Sequence, residues 1–488
     1  MDLRGRSRSE VEAFFENVIE DAINYDCQPP LSAPVFNGME VNQYDDHIKY
    51  IRPLGSNGNK GHMLEREALS LGVDSHRLSK GAFRLVQEGK IPLLFKWSRS
   101  PISSAVSLAI CTHKDATRVC LRRAGVPVPE GRMFRCGDYE TAKAFAAEIG
   151  YPVVCKPAKG VRGIGVTANI RDEDELQHAM QLVAESRFGK DDFIIEKHVN
   201  GKDYRILVVD GKVIAAILRE PSSVTGDGSH TIAELMVHKN VNRQLNPHLW
   251  GRIAKYDEAA RYRLADQGFD IMSVPTAGQR VMLSNSCSLS QGGDSIDVLD
   301  QMHESIKAAS VAAVKAVPGM QYCGVDFLLE DHTKPIDSQE AGICELNAHA
   351  AIGNCEYPMF GKPRSVSRAF VRSCLEAHGY EFLDQPMTTL SVKIEVKGAR
   401  LGKNYGRWFF KQATNYQLKG TIVKKSEEII VAELEGDTVP LSALSALAAV
   451  GPSSVNVDEV MTIHIPSINS TSLCYVDEVE NEKEAVVA

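Results

Sequence analysis

The sequence predicts an α+β protein made of several lobes. Three observations carry this. The chain has 488 residues, more than one hydrophobic core holds, so two to four domains are expected. Between 138 and 380, helix-type and strand-type patterns follow one another in mixed order. That order suits α+β lobes rather than a regular doubly wound sheet. A break falls at "FLDQPMTTL" (382–390), and the short alternating strands and helical pieces after it suffice for a small α/β sandwich.

Each segment has its own reason. Residues 1–30 read as an N-terminal amphipathic helix, opened by a capping box Ser9-x-x-Glu12 and ended at Pro29-Pro30. Residues 31–111 are mixed: "GHMLEREALSLG" is helical, and "KIPLLFKW" is a buried strand. A helix "THKDATRVCLRRAG" closes at Gly125, and the prolines of "VPVPEGRMF" force an extended path. "DYETAKAFAAEIG" and "DEDELQHAMQLVAES" are helices; "YPVVCKP", "VTANI", "DFIIEKHV", "DYRILVVDG" and "KVIAAILRE" are strands. Asp210-Gly211 is a hairpin turn signal. After the break, "SVKIEVKG", "LKGTIVKK" and "EIIVAELEG" are strands, with helices in "RWFFKQATNYQ" and "LSALSALAAV". Residues 476–488 form an acidic tail with no assigned role.

Composition narrows the function. Apolar content of 43% and charged content of 24% are those of an ordinary globular protein. A net charge of −8 argues against a general nucleic-acid binder, yet leaves room for a local basic pocket. No apolar run is long enough to span a membrane, and the N-terminus lacks the apolar region of a signal peptide. The eleven scattered cysteines, odd in number and without a C-x-x-C pair, suit free thiols in a reducing cytoplasm.

The stretch "CKPAKGVRGIGVT" (155–167) is a glycine-rich basic loop. It is no Walker A loop, because no Lys-Ser/Thr follows Gly165. "GIGVTA" mimics a dinucleotide fingerprint but lies between two strands instead of between strand and helix. A glycine hairpin fits better: backbone N–H groups at Gly163 and Gly165 fold over a polyphosphate while Lys156 neutralises it. Glu196 at a strand end offers an acceptor for an adenine amine, and Asp203 an acceptor for ribose hydroxyls. Arg205 and Arg219 reach for phosphate. Glu345 and Asn347 leave one face of a strand, because strand period is two. Asp326 on a neighbouring strand completes an oxygen set suited to magnesium with substrate phosphate.

With these residues in order, the segment 112–380 resembles an ATP-grasp carboxylate–amine ligase. The likeness is to the ATP-grasp modules of cyanophycin synthetase and bifunctional glutathione synthetase. It is carried by "HKDATRVCLRRAGVPVPEG", "VVCKPAKGVRGIGV", "IIEKHVNGKDYRILVVDGKVIAAILREPSSVTGDGSHTIAEL", "LSQGGDSIDV", Asp326 and Glu345-Leu-Asn347. The resemblance implies an ATP-grasp fold, with 31–111 as the lobe that precedes it. It implies an enzyme that uses ATP to turn a carboxylate into an acylphosphate, which an amine then attacks to form an amide. ATP and two Mg2+ ions, with Mn2+ as a substitute, are the implied cofactors; small amino-acid or peptide substrates are the implied partners. No nucleic-acid or membrane partner is expected, and a homo-oligomer is compatible with the sequence. By resemblance, Lys114 and Lys156 flank the nucleotide phosphates and adenine, Glu196 and Val199 hold the adenine edge, and Asp203 the ribose. Arg205 and Arg219 face phosphate or acceptor carboxylate, and Asp326, Glu345 and Asn347 hold magnesium. Gly292 and Gly293 place backbone donors against the acyl group.

The sequence also departs from the family. Where relatives carry an arginine and an asparagine ahead of the L-S-x-G-G segment, this chain has Ser284 and Ser288. "AHAAIG" replaces the usual x-x-Pro-Gly after the E-x-N set, so the acceptor end of the pocket differs and His349 offers an acid or base there. Residues 388–475 are similar to acylphosphatase. "GARLGKNYGRWFF" matches its loop with one extra residue, with Arg407 as the cradle arginine, and Lys424 takes the place of the water-orienting asparagine. A lysine does not orient water as an amide does, so a hydrolytically impaired domain that still binds an anion is expected. The competing readings are an acylphosphate hydrolase and a nucleotide-binding regulatory protein.

Overall fold

The computed structural model describes residues 6–17, 35–79, 81–159, 165–399 and 401–479. Three larger sheets organise the chain, and their strands pair antiparallel except Leu473–Asp477, which runs parallel to Lys419–Lys424. The first has four strands in the order Gly131–Phe134, Phe193–Lys197, Val153–Pro157, Thr167–Ile170. Its apolar face is covered by helices Tyr139–Ile149 and Glu173–Glu185, through Ala142, Ala146, Leu176 and Met180. Asp172 caps the second of these helices by accepting from the Glu175 amide.

The second sheet has five strands in the order Asp294–Asp297, Lys212–Glu220, Lys202–Val209, Tyr322–Leu329, Ala341–Asn347. Its central hairpin turns at Asp210 (φ 46°) and Gly211 (φ 70°), the two positive φ angles that a tight type I′ turn needs. Both faces are covered, so the central strands read as continuous apolar runs. Tyr204, Ile206 and Val208 join one core with Val325 and Phe327. Leu207 and Val209 join another that includes Phe83, Leu85 and Phe95. Asp203 and Arg205 continue that second face, where apolar side chains give way to charge.

The third sheet has eight strands: Leu473–Asp477, Lys419–Lys424, Ile429–Asp437, Thr389–Lys397, Glu459–His464, Asp74–Ser79, Ala82–Val86, Leu93–Lys96. Residues 389–464 form a β-α-β-β-α-β split unit. Alternate residues Leu390, Val392, Ile394 and Val396 face its core. Its strand Glu459–His464 pairs antiparallel with Asp74–Ser79, Val460 opposite Arg77. The C-terminal unit and the strands of the 31–111 region therefore share one sheet. The helix Gly55–Ser70 packs against helices Thr438–Val450 and Val366–Ala377, and its Met63, Leu64, Ala68 and Leu69 are fully buried.

Two local expectations shift. The N-terminal helix spans Arg8–Asn17, and its capping pair is Ser7 with Glu10, in place of Ser9 with Glu12. The Ser7 amide and hydroxyl each donate to Glu10 at 2.8 Å, while Glu12 receives Arg8 at 3.0 Å one turn on. Both spacings fit the S-x-x-E pattern, and the one at the helix start caps it. The strand Leu473–Asp477 contains two residues read as tail. The remainder of the 1–30 segment beyond residue 17, and residues 480–488, lie outside the described residues.

Candidate active site

The register of the five-stranded sheet assembles the charged set. Asp203 lies opposite Arg219, Arg205 opposite Asp326, and Asp326 opposite Glu345; Asn347 follows two residues on, opposite Gly324. Cross-strand partners share a face, so all six charged or amide side chains emerge together. With Lys114 and Lys156 they line one cleft of about 490 Å³. Gly324 makes room for this: a Cβ there would lie 2.6 Å from Ala350 Cβ and 2.9 Å from Arg205 Cδ.

Inside the cleft the charges form a closed network. Arg205 grips Asp326 with Nε and, at 2.9 Å, with Nη2. Arg219 donates to Asp203 from Nη2 and, at 3.0 Å, from Nε; its Nη2 is also 3.3 Å from Asp326. Asn347 Nδ2 donates to Asp326 at 3.1 Å. Burial raises the Asp326 pKa, but the two guanidiniums outweigh it, so its carboxyl stays below the ordinary value. Asp203 is shifted the other way: burial, reinforced by Asp326, outweighs Arg219 and raises it.

The four-stranded sheet supplies the opposite wall. Lys156 faces Ile194 and Glu196 faces Val154 across the strand pair, so Lys156 and Glu196 are diagonal neighbours and form an ion pair. Glu196 Oε2 also accepts from Arg118 Nη2 at 2.6 Å. Arg118 stands one turn beyond Lys114 on the helix Lys114–Arg123. Burial, with Lys156 adding to it, lowers the Lys114 pKa against the pull of Glu345 and Glu196. Lys114, Thr117, Arg118, Pro129, Glu196 and Ile343 line a narrower recess behind this wall. Val199 is buried beside it, and it and Pro129 both pack close to Gly342. Gly165 has φ +73° and sits over Pro157; Gly163 lies outside the described residues.

Gly292 and Gly293 are not among the cleft-lining residues. They close a loop that packs on the strand Lys212–Glu220, Gly293 against the Glu220 carbonyl next to Arg219. Gly292 has φ +89°, and a Cβ there would lie 2.6 Å from Ala254 Cα. The loop is held by fully buried Arg243, which donates to the carbonyls of Leu289 (2.9 Å), Gly293 (2.7 Å) and Arg252 (2.7 Å). His349 is exposed and lines the cleft. In the C-terminal unit, Arg407 is exposed on the helix Tyr405–Asn415. Lys424 is buried, its Nζ 3.1 Å from Glu427 and 3.8 Å from Asp477, so its charge is already matched.

Sequence reasoning missed Arg118, Arg243 and the 96–99 turn. The i,i+4 spacing of Lys114 and Arg118 on one helix face is a signal that points to the first. The other two depend on tertiary contacts that no local spacing encodes.

The donor set fits a hard divalent cation. Asp326 and Glu345 are cross-strand neighbours, and Asn347, donating to Asp326 through its nitrogen, leaves its amide oxygen available to a cation. Two carboxylates and one amide suit a magnesium ion completed by phosphate oxygens and water. Among the described residues, no group of three or more His, Cys, Asp or Glu side chains forms a dedicated metal cage. No helix among the described residues is long and apolar enough to cross a membrane, and the ten cysteines described are free.

Residues 113–219 match the ATP-binding domain of the carbamoyl-phosphate synthase L chain. The chain is 29% identical over 364 residues to cyanophycin synthetase of Geminocystis herdmanii, covering 72% of this chain and 41% of that protein. It is 31% identical over 272 residues to the glutathione biosynthesis bifunctional protein GshAB of Mannheimia succiniciproducens, covering 54% of this chain and 35% of the relative. A bifunctional glutathione synthetase from Pasteurella multocida, of known structure, aligns with 28% identity over 63% of this chain and 42% of that one, with a TM-score of 0.49. The chain spans about two fifths of the length of the cyanophycin synthetases it matches. Through its ATP-binding region, the chain is similar to ATP-grasp ligases.

Proposed function

We propose that this chain is an ATP-dependent ligase that joins an amino-acid or small-peptide carboxylate to an amine through an acylphosphate, releasing ADP and phosphate. The observation that carries the reading is the convergence of Lys114, Lys156, Asp203, Arg205, Arg219, Asp326, Glu345 and Asn347 on one cleft. In the first step a carboxylate oxygen attacks the γ-phosphorus of ATP and the bond to the β-phosphate oxygen breaks. The amine nitrogen then attacks the acyl carbon, the carbon–oxygen bond to phosphate breaks, and the nitrogen loses a proton. Asp326, Glu345 and Asn347 would hold a magnesium ion, which would supply neutralisation of phosphate charge.

The side chains divide the remaining work. Lys114 and Lys156 meet the phosphates. Arg118 and Lys156 hold Glu196 so that its remaining lone pairs face the base beside Val199. Asp203 takes the ribose hydroxyls, and Arg219, which Asp203 anchors, turns to the transferring phosphoryl group with Arg205. Gly165 meets the nucleotide from beside Pro157, and the loop of Gly292 and Gly293, outside the cleft lining, acts on the acyl end through its packing next to Arg219. Residues 388–475 are read as an acylphosphatase-like unit without hydrolytic function, because Lys424 is buried against two carboxylates. The test is ADP release by the purified protein with Mg2+, ATP and pooled amino acids, with mass spectrometry of products. A new mass equal to two substrates less water supports the ligase. Equal ADP release with and without amino acids, with no new mass, contradicts it.

A further inference from the structure

The mouth of the cleft carries charge that the reaction described above does not use. Lys96 and Arg99 are direct partners in a tight turn: each amide donates to the other's carbonyl at 3.0 Å. Their side chains therefore leave the same face, and like charges directly opposite repel. Trp97 at the apex has φ +55°, a conformation rare for a bulky residue and maintained only where surroundings dictate it. It is held there by its amide, which donates to the Gly81 carbonyl at 3.0 Å. Gly81 is needed as glycine, since a Cβ would lie 2.6 Å from the indole nitrogen. The ammonium groups of Lys60 and Lys96 lie 5.9 and 5.8 Å from the indole centroid.

This turn is tied to the reaction centre. Buried Ser98 donates its hydroxyl to the His349 carbonyl at 2.8 Å, two residues beyond Asn347. Lys60, Lys96 and Arg99 line the same cleft as Glu345 and Asn347. The cleft lining holds seven cationic side chains against three carboxylates; Asp203 and Asp326 are already paired with Arg219 and Arg205, and Lys156 with Glu196. Positive charge is thus concentrated, at a cost in backbone strain and repulsion, where "AHAAIG" closes the pocket.

We propose that the substrate seated between this turn and residues 348–351 carries an anionic group in addition to its reacting group, bound by Lys96 and Arg99 with Lys60 beside the Trp97 face. The anion is a carboxylate or a phosphate-type group. The proposal rests on the ligase reading and deepens it. A charge-assisted contact to a guanidinium and an ammonium at once sets a preference of about tenfold or more for the anionic ligand.

The test is calorimetry on the full chain saturated with AMP-PNP and Mg2+. The probes are butyrate (one carboxylate), glutarate (two) and 3-phosphonopropionate (carboxylate and phosphonate). Glutarate or 3-phosphonopropionate is expected to bind at least about tenfold tighter than butyrate, and the tighter of the two identifies the anion. The Lys96→Ala/Arg99→Ala variant, and separately Arg99→Gln, should abolish that preference and leave AMP-PNP affinity unchanged. Equal binding of all three probes, no binding of the dianions, or a preference that survives in both variants would overturn the proposal. So would loss of AMP-PNP affinity in the variants, which would assign the turn to the nucleotide. Failure of the wild-type chain to bind AMP-PNP is a different result, and it overturns the nucleotide reading beneath the proposal.

Discussion

Asp326 and Glu345 are both proposed as magnesium ligands, but the structure predicts unequal effects on stability when each loses its charge. Asp326 is gripped by two guanidiniums, with side chains 13% exposed for the aspartate and 12% for Arg205. At 2.9 Å and an effective dielectric of about 20, one such pair is worth about 6 kcal/mol of gross attraction. Most of that is offset by desolvation, but removing one partner leaves the other charge buried and unpaired, a net loss of about 3 to 5 kcal/mol. Asp326→Asn keeps the shape and removes the charge. Asp203 still neutralises Arg219, so the loss belongs at the lower end, about 3 kcal/mol. Glu345 lies in the field of Lys114 without an ion pair among the described residues. Glu345→Gln should therefore change stability by less than about 1 kcal/mol. The assay is urea unfolding without nucleotide, followed by circular dichroism. With an m value of about 3 kcal/mol per molar, Asp326→Asn lowers the midpoint by about 1 M and Glu345→Gln barely moves it. Both should abolish magnesium-dependent ADP release. Equal midpoint shifts in the two variants, or none in Asp326→Asn, would refute the network as described.

Other outcomes follow from the same geometry. Arg118→Met leaves Glu196 with Lys156 alone; mant-ATP titration should show affinity weakened by about tenfold, and unchanged affinity would remove Arg118 from the base pocket. Gly292→Ala forces a Cβ into Ala254 at φ +89°; it should lower turnover while thermal melting shows a loss of at least about 1 to 3 kcal/mol. Lys114 has a depressed pKa in the folded chain, so the folded state binds fewer protons than the unfolded one between that pKa and the ordinary 10.5. Stability contributed by this group therefore rises with pH across that window. Lys114→Met should flatten the rise in unfolding experiments without nucleotide. Truncation after residue 387 removes the partner strand of Asp74–Ser79 and the side chains that cover Tyr50, Leu54 and Leu69. Sedimentation of that chain should show aggregation rather than a folded monomer.

Most individual elements were legible because their patterns are local. Lys212–Glu220 is an uninterrupted apolar strand, Asp210-Gly211 is the turn that joins it, and Glu345-x-Asn347 shares a face by period alone. The strands Glu459–His464 and Leu473–Asp477 were not legible. Their alternation is weak, and they gain order from partners far along the chain: Lys397 for Glu459, Gly420 for Leu473. The sharing of one sheet by residues 74–96 and 389–477 has the same origin. At the site, the residues proposed to touch substrate were recognisable by type and order. The residues that position them were not: Arg243 acts on carbonyls about fifty positions downstream, and the Trp97 turn acts on His349 through a single serine. Ser7 and Ser9 offered equal spacing, and only the helix start chose between them.

The central claim is that ATP activates a carboxylate by direct phosphorylation. The most direct measurement uses amino acids labelled with 18O in their carboxylates, with Mg2+, ATP and the purified chain. Acylphosphate formation carries one carboxylate oxygen into the released phosphate, so phosphate bearing one 18O should appear in step with ADP and with the new amide. Phosphate free of 18O, released at the same rate as ADP, would show that water rather than carboxylate accepts the phosphoryl group and would contradict the ligase account.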